Sequence, residues 1–123
     1  MKLIQLDHVQ LAMPQGEEEK ARSFYAQLLG LNEVEKPDNL KKRGGCWFQS
    51  GDIKIHLGVQ TPFIAATKAH PAFIVSDLNA LADKIKSSGY LMVSDEPLEG
   101  FNRLYANDPF GNRIEFMQPV TTS

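Results

Sequence analysis

Apolar and polar residues alternate along LIQLDHVQLAM, which predicts a strand from about Leu3 to Met13, ended by Pro14 and Gly16. The period then changes. In EEEKARSFYAQLLG, Ala21, Phe24, Tyr25, Leu28 and Leu29 fall at helical spacing and give one apolar face. Acidic residues sit where the helix dipole is positive, and Gly30 suits the C-terminal cap. LNEVE, GCWFQS and DIKIHLGV read as three further strands, the last two joined by a turn at Ser50-Gly51-Asp52.

The order then recurs. KAHPAFIVS opens a second set, and Asp77 can cap a helix whose apolar face is Leu78, Leu81, Ala82 and Ile85. Lys84 and Lys86 lie in its last turns, Gly89 ends it, and YLMVS, NRLYAND and NRIEFMQP are strands. Gly30 and Gly89 lie 59 positions apart, as do Ile55-His56-Leu57 and Ile114-Glu115-Phe116, while His8 and His70 lie 62 apart. The expected fold class is therefore α+β, two βαβββ modules over approximately 1–60 and 69–119 of a single domain spanning 1–123, with QTPFIAATK as the linker. Each sheet buries the side that carries its helix, leaving a concave face on the other.

Period-two alternation then sorts the side chains. Ile53, Ile55 and Leu57 should meet the first helix, with Lys54 and His56 on the other face. Val9 and Leu11 should pack, leaving His8 and Gln10 in the cup. Ile114 and Phe116 go inward, whereas Arg113, Glu115 and Met117 face the cup, and the same logic places His70 there. This bears on why an acid stands between Ile114 and Phe116. His8, His56, His70 and Glu115 all lie on strands able to line one concave surface, and they include every histidine of the chain. Imidazole and carboxylate suit Zn, Ni, Mn or Fe(II). The ordinary alternatives are part-buried, hydrogen-bonded histidines and a solvated glutamate.

Arg103 and Tyr105 share a face of the seventh strand. Arg103, and equally Arg113, suits a substrate carboxylate or phosphate, or else is a surface strand charge. Trp47 is either an apolar wall for a substrate or ordinary packing. Lys54 and Lys68 read as solvated, Cys46 as a buried small residue, and Gly44-Gly45 as loop flexibility.

Composition narrows the function classes. The chain has 123 residues, 42% of them apolar and 23% charged, with net charge −2 and no long run of Lys or Arg. That disfavours nucleic acid or an anionic membrane surface as the main partner. No apolar run reaches the length of a membrane span, no signal peptide is apparent, and the single Cys46 cannot form an internal disulfide. A cytoplasmic protein is expected.

LDHVQLAMP, ARSFYAQLLGL, KAHPAFIVSDLNALADKIKSSG and YANDPFGNRIEFMQP resemble the glyoxalase, fosfomycin-resistance and extradiol dioxygenase superfamily, also called vicinal oxygen chelate. Its specific parts here are Asp7-His8-Val9, Phe24-Tyr25 with Leu29-Gly30, and the Asp-Pro-x-Gly-Asn-x-x-Glu run from Asp108 to Glu115. The resemblance implies a divalent metal (Zn, Ni, Mn or Fe) held by His8, His70 and Glu115. His56 would be the fourth ligand or a catalytic base, with Glu115 as the catalytic carboxylate. Arg103, Tyr105, Trp47 and Arg113 would meet a small oxygenated or electrophilic substrate. Lyase, transferase and dioxygenase chemistry are all within the superfamily. Lactoylglutathione lyases typically carry glutamate at the position of His56, so glutathione-dependent isomerisation is not expected. The alternative is a metal-free small-molecule binder like the bleomycin-sequestering members, using the same cup and Trp47. A homodimer is implied, with modules paired within or between chains.

Overall fold

The structure, a computed structural model, describes residues 1–121. It divides into two compact units, Met1–Ile64 and Ala65–Ser123. The first carries β1 (Val9–Met13), α1 (Glu18–Ala21), β2 (Asn32–Val34), α2 (Asp38–Lys41), β3 (Cys46–Ser50) and β4 (Ile53–Val59). The second carries β5 (Ala72–Ile74), α3 (Leu78–Ser87), β6 (Met92–Val93), β7 (Phe101–Asn107) and β8 (Arg113–Pro119). Each builds a four-stranded mixed sheet, ordered β1-β4-β3-β2 and β5-β8-β7-β6. In both, the first strand runs parallel to the last and the other pairs are antiparallel. The α+β fold with repeated order is as the sequence predicts.

Past Ala21 the first helix widens into π-helical turns over Arg22–Leu28. The Leu29 N–H reaches back to the Phe24 carbonyl, five residues earlier, at 3.0 Å. Ala21, Phe24, Tyr25 and Leu28 are buried. Tyr25 stacks on Phe48, ring centroids 5.6 Å apart, which fixes the helix on the sheet face formed by Phe48, Ile55 and Leu57. In the second unit Leu78 and Ile85 of α3 are buried, as are Ile114 and Phe116 of β8. Asp77 caps α3 by accepting from the Ala80 N–H at 3.0 Å.

Several expectations change. The first strand begins at Val9, not Leu3, and Leu3, Ile4 and Leu6 are 94%, 94% and 74% exposed. Val9 pairs with Ile55, and β4 itself starts only two residues earlier, so residues 3–6 outrun their partner. His8 precedes β1, and His70 precedes β5, where Pro71 has no N–H for the ladder. Ile53 is 43% exposed because it lies at the strand's first position, beside the Gly51 turn. α2 was not expected; Pro37 stands at its start. Gly44-Gly45 is not a loose loop. Both residues have positive φ, and a Cβ on Gly45 would lie 2.1 Å from the Leu57 carbonyl oxygen. Among the described residues no helix is long and apolar enough to cross a membrane.

Candidate functional site

Cross-strand register lines up one row of side chains in each unit, on the face away from the helix. In the first, Gln10, His56, Trp47 and Val34 are direct partners across β1, β4, β3 and β2. In the second, Ala72, Glu115, Tyr105 and Val93 are direct partners across β5, β8, β7 and β6. His8 and His70 stand two residues before Gln10 and Ala72. The two rows are repeats of one plan, with His56 and Glu115, and Trp47 and Tyr105, in matching places.

In the first unit the rings form a stack. His56 lies flat on Trp47, centroids 3.9 Å apart and planes within 3°. His8 covers its other face, centroids 4.1 Å apart. Trp47 thus packs on a candidate ligand. Burial first, and then the neighbouring His8, push the His56 imidazole below its ordinary range. The Asp7 carboxylate lies 2.9 Å from His8 Nδ1, and Lys54 Nζ lies 3.4 Å from its other oxygen. Lys54 is therefore ion-paired rather than simply solvated.

In the second unit Glu115 is 6% exposed and both of its oxygens are engaged. Oε1 lies 2.9 Å from His70 Nε2, and Oε2 accepts from Arg103 Nη1 at 3.2 Å. Burial alone would raise this carboxyl's pKa; the adjoining His70 and Arg103 outweigh it and hold the group below the usual carboxylate range. Arg103 Nη1 also donates to the Tyr105 hydroxyl at 3.0 Å, and Nη2 to the Glu96 carbonyl at 2.6 Å. Arg113 lies 3.8 Å over the Tyr105 ring. Asp95 faces both guanidinium groups, at 3.9 Å and 3.8 Å. Arg103 is thus engaged by protein acceptors through both terminal nitrogens.

The Asp108–Asn112 turn sets the register of β8. Asp108 Oδ1 accepts from the Phe110 and Asn112 N–H groups, both at 2.9 Å. The Asn112 side chain donates to Asp108 Oδ2 and accepts from the Ala66 N–H. Asn112 is fully buried and Gly111 has φ +92. These residues clamp the strand that presents Glu115.

The donor chemistry suits a divalent ion. Lys68 O lies 2.8 Å from His70 Nδ1, and a carbonyl can only accept, so Nδ1 carries the hydrogen. In a neutral ring the Nε2 lone pair then points at Glu115 Oε1, itself an acceptor. A proton or a cation must occupy that gap. Asp7 likewise fixes the hydrogen on His8 Nδ1 and frees Nε2, the outer support that metal-bound histidines usually have. Among the described residues no group of three or more His, Cys, Asp or Glu side chains is arranged to hold a metal. The candidate donors are present as pairs.

Sequence reasoning missed Asp7, the Lys68 carbonyl and Asp95-Glu96. Of these only Asp7 left a signal, by adjoining His8.

Residues 5–116 match the family model of the glyoxalase/bleomycin resistance protein/dioxygenase superfamily. A glyoxalase family protein from Bacillus anthracis is 45% identical, with a TM-score of 0.91 over 98% of this chain and 99% of that one. A genomically encoded fosfomycin resistance protein, FosX, from Listeria monocytogenes is 17% identical, with a TM-score of 0.75 over 99% and 96% of the two chains. The antibiotic binding protein TnmS3 from Streptomyces sp. CB03234 is 18% identical, with a TM-score of 0.73 over 98% and 99%. No curated protein matches the chain significantly.

Proposed function

Since the chain belongs to the glyoxalase/bleomycin resistance protein/dioxygenase superfamily, we propose that it is a divalent-metal-dependent enzyme acting on a small oxygenated or electrophilic substrate. The observation that carries this reading is the His70–Glu115 pair, an imidazole nitrogen and a carboxylate oxygen 2.9 Å apart, with the ring's other nitrogen held by the Lys68 carbonyl. His8 and His56 are the first unit's candidate ligands. A bound ion would act as a Lewis acid toward a substrate oxygen. His56, kept neutral by burial, suits a ligand or a proton acceptor. Glu115 supplies the negative charge, and Arg113 over Tyr105 lines the same sheet face for a substrate's anionic or apolar part. The fosfomycin-resistance and antibiotic-binding names of two structural neighbours fit small-molecule handling.

Metal analysis of protein purified without added metal tests the reading, together with titration of Zn, Ni, Mn and Fe(II). Glu115→Gln should lower affinity by at least about tenfold. At a hundredfold excess over Kd, metal should add about 2.7 kcal/mol of stability, a shift of several degrees. No metal, no shift and unchanged small-molecule binding would leave a metal-free binding protein. Turnover of the methylglyoxal–glutathione adduct should be weak or absent, because histidine replaces glutamate at position 56.

The chain is also read as a homodimer. What supports this is the exposed apolar run Leu3, Ile4 and Leu6 just ahead of β1, a sheet-edge strand.

A further inference from the structure

Resting on the metal reading above, we propose that Arg103 is an internal competitor for the cation at Glu115, weakening metal binding and leaving only Oε1, beside His70, for the ion. The register of β7 and β8 places Arg103 opposite Met117, one step diagonal from Glu115. From there its guanidinium spans to Glu115 Oε2 at 3.2 Å, leaving Oε1 beside His70 Nε2. It is held in that position by the Tyr105 hydroxyl and the Glu96 carbonyl, and its side chain is only 16% exposed. Its Nε is buried with no hydrogen-bond partner among the described residues. An arginine that leaves a buried donor unpaired is held there by its other contacts, of which the buried carboxylate is the charged one that is also buried.

The fixed positive charge has two consequences. It neutralises Glu115, so that the pair offers an incoming ion less net attraction. It also occupies Oε2, so that two-oxygen coordination requires the guanidinium to leave. The matching position in the first repeat, two residues before Trp47, is Gly45, which has no side chain to play this part. The competitor therefore belongs to one half of the repeat only.

A merely orienting arginine predicts the opposite sign. Removing a group that only steadies Glu115 would loosen the ligand and weaken metal binding, by about 10–100-fold for an outer partner. Removing a competitor tightens it. The test measures the affinity of the full chain for Zn, Ni and Mn by calorimetry or chelator competition, in wild type, Arg103→Gln and Tyr105→Phe. Tyr105→Phe releases one anchor of the guanidinium and keeps the ring. Arg103→Gln should bind about tenfold tighter or more, and Tyr105→Phe about twofold to fivefold tighter. Without metal, Arg103→Gln should melt lower than wild type because Glu115 loses its countercharge, and saturating metal should recover the loss. If Arg103→Gln fails to fold, Tyr105→Phe decides. Equal or weaker affinity in the variants, with a wild type that binds, overturns the proposal and spares the metal reading. Binding by the variants alone supports the proposal and counts against the metal reading for the native chain. No binding in any form overturns both.

Discussion

Cys46 lies in the core of the first unit, 1% exposed, and burial pushes its thiol up to about 11. A thiol whose folded pKa is raised keeps its proton in the native state, so the unfolded chain releases that proton first as pH rises. The contribution to stability is therefore intact below about pH 9 and is lost progressively between about 9 and 11. Two outcomes follow at this scale. A thiol reagent at pH 8 should label Cys46 no faster than the chain opens, since the thiolate is the nucleophile. Chemical denaturation of a Cys46→Ala variant should lose less stability than wild type between pH 9 and 11; equal slopes would show the thiol does not titrate there. Glu115 is the opposite case, a buried acid kept charged by its neighbours, and that contrast marks it as part of a site where Cys46 is part of the packing.

Two glycines separate what an element needs from what a turn merely prefers. Gly30 ends the first helix at φ +79, with nothing near a would-be Cβ, so Gly30→Ala should cost about 1 kcal/mol. Gly45 has a similar φ, but its Cβ would collide with backbone of β4, so Gly45→Ala should cost at least about 3 kcal/mol. Equal urea midpoints for the two variants would overturn this. The helix ends were legible in the sequence because caps are local: Asp77 needs only the N–H three residues on. So were the alternating faces, which put Arg113 with Glu115, Arg103 with Tyr105, and His56 on the face opposite Ile55 and Leu57; that Arg103 and Tyr105 join Glu115, and Trp47 joins His56, came only with the register. The start of β1 was not legible, because alternation reports a strand's period and not whether a partner lies alongside. Nor was the Arg103–Glu115 bond, which depends on inter-strand register, or the Gly45 contact, which depends on a strand twelve residues away. The π-helical widening after Ala21 has no signature in the apolar spacing, which fits either winding within one turn.

At the scale of the molecule, one plan is used twice and filled differently. Where one repeat has His56 beneath Trp47, the other has Glu115 beside Tyr105, and only the second carries an arginine against its acid. Leu3, Ile4 and Leu6 lie outside both cores and are largely exposed. If they seal a homodimer, Ile4→Asp should convert a dimer to a monomer in sedimentation at micromolar concentration, with the secondary structure unchanged. A dimer that persists would place the interface elsewhere. The stack of Trp47 on His56 gives the chain an optical voice. Trp47 is its only tryptophan, so nearly all emission excited at the red edge of indole absorption arises from one ring in contact with a candidate ligand. An ion or ligand that engages that imidazole should therefore alter the indole emission, a readout that needs no dye and no coupled assay; emission unchanged by a metal that binds would place it away from His56.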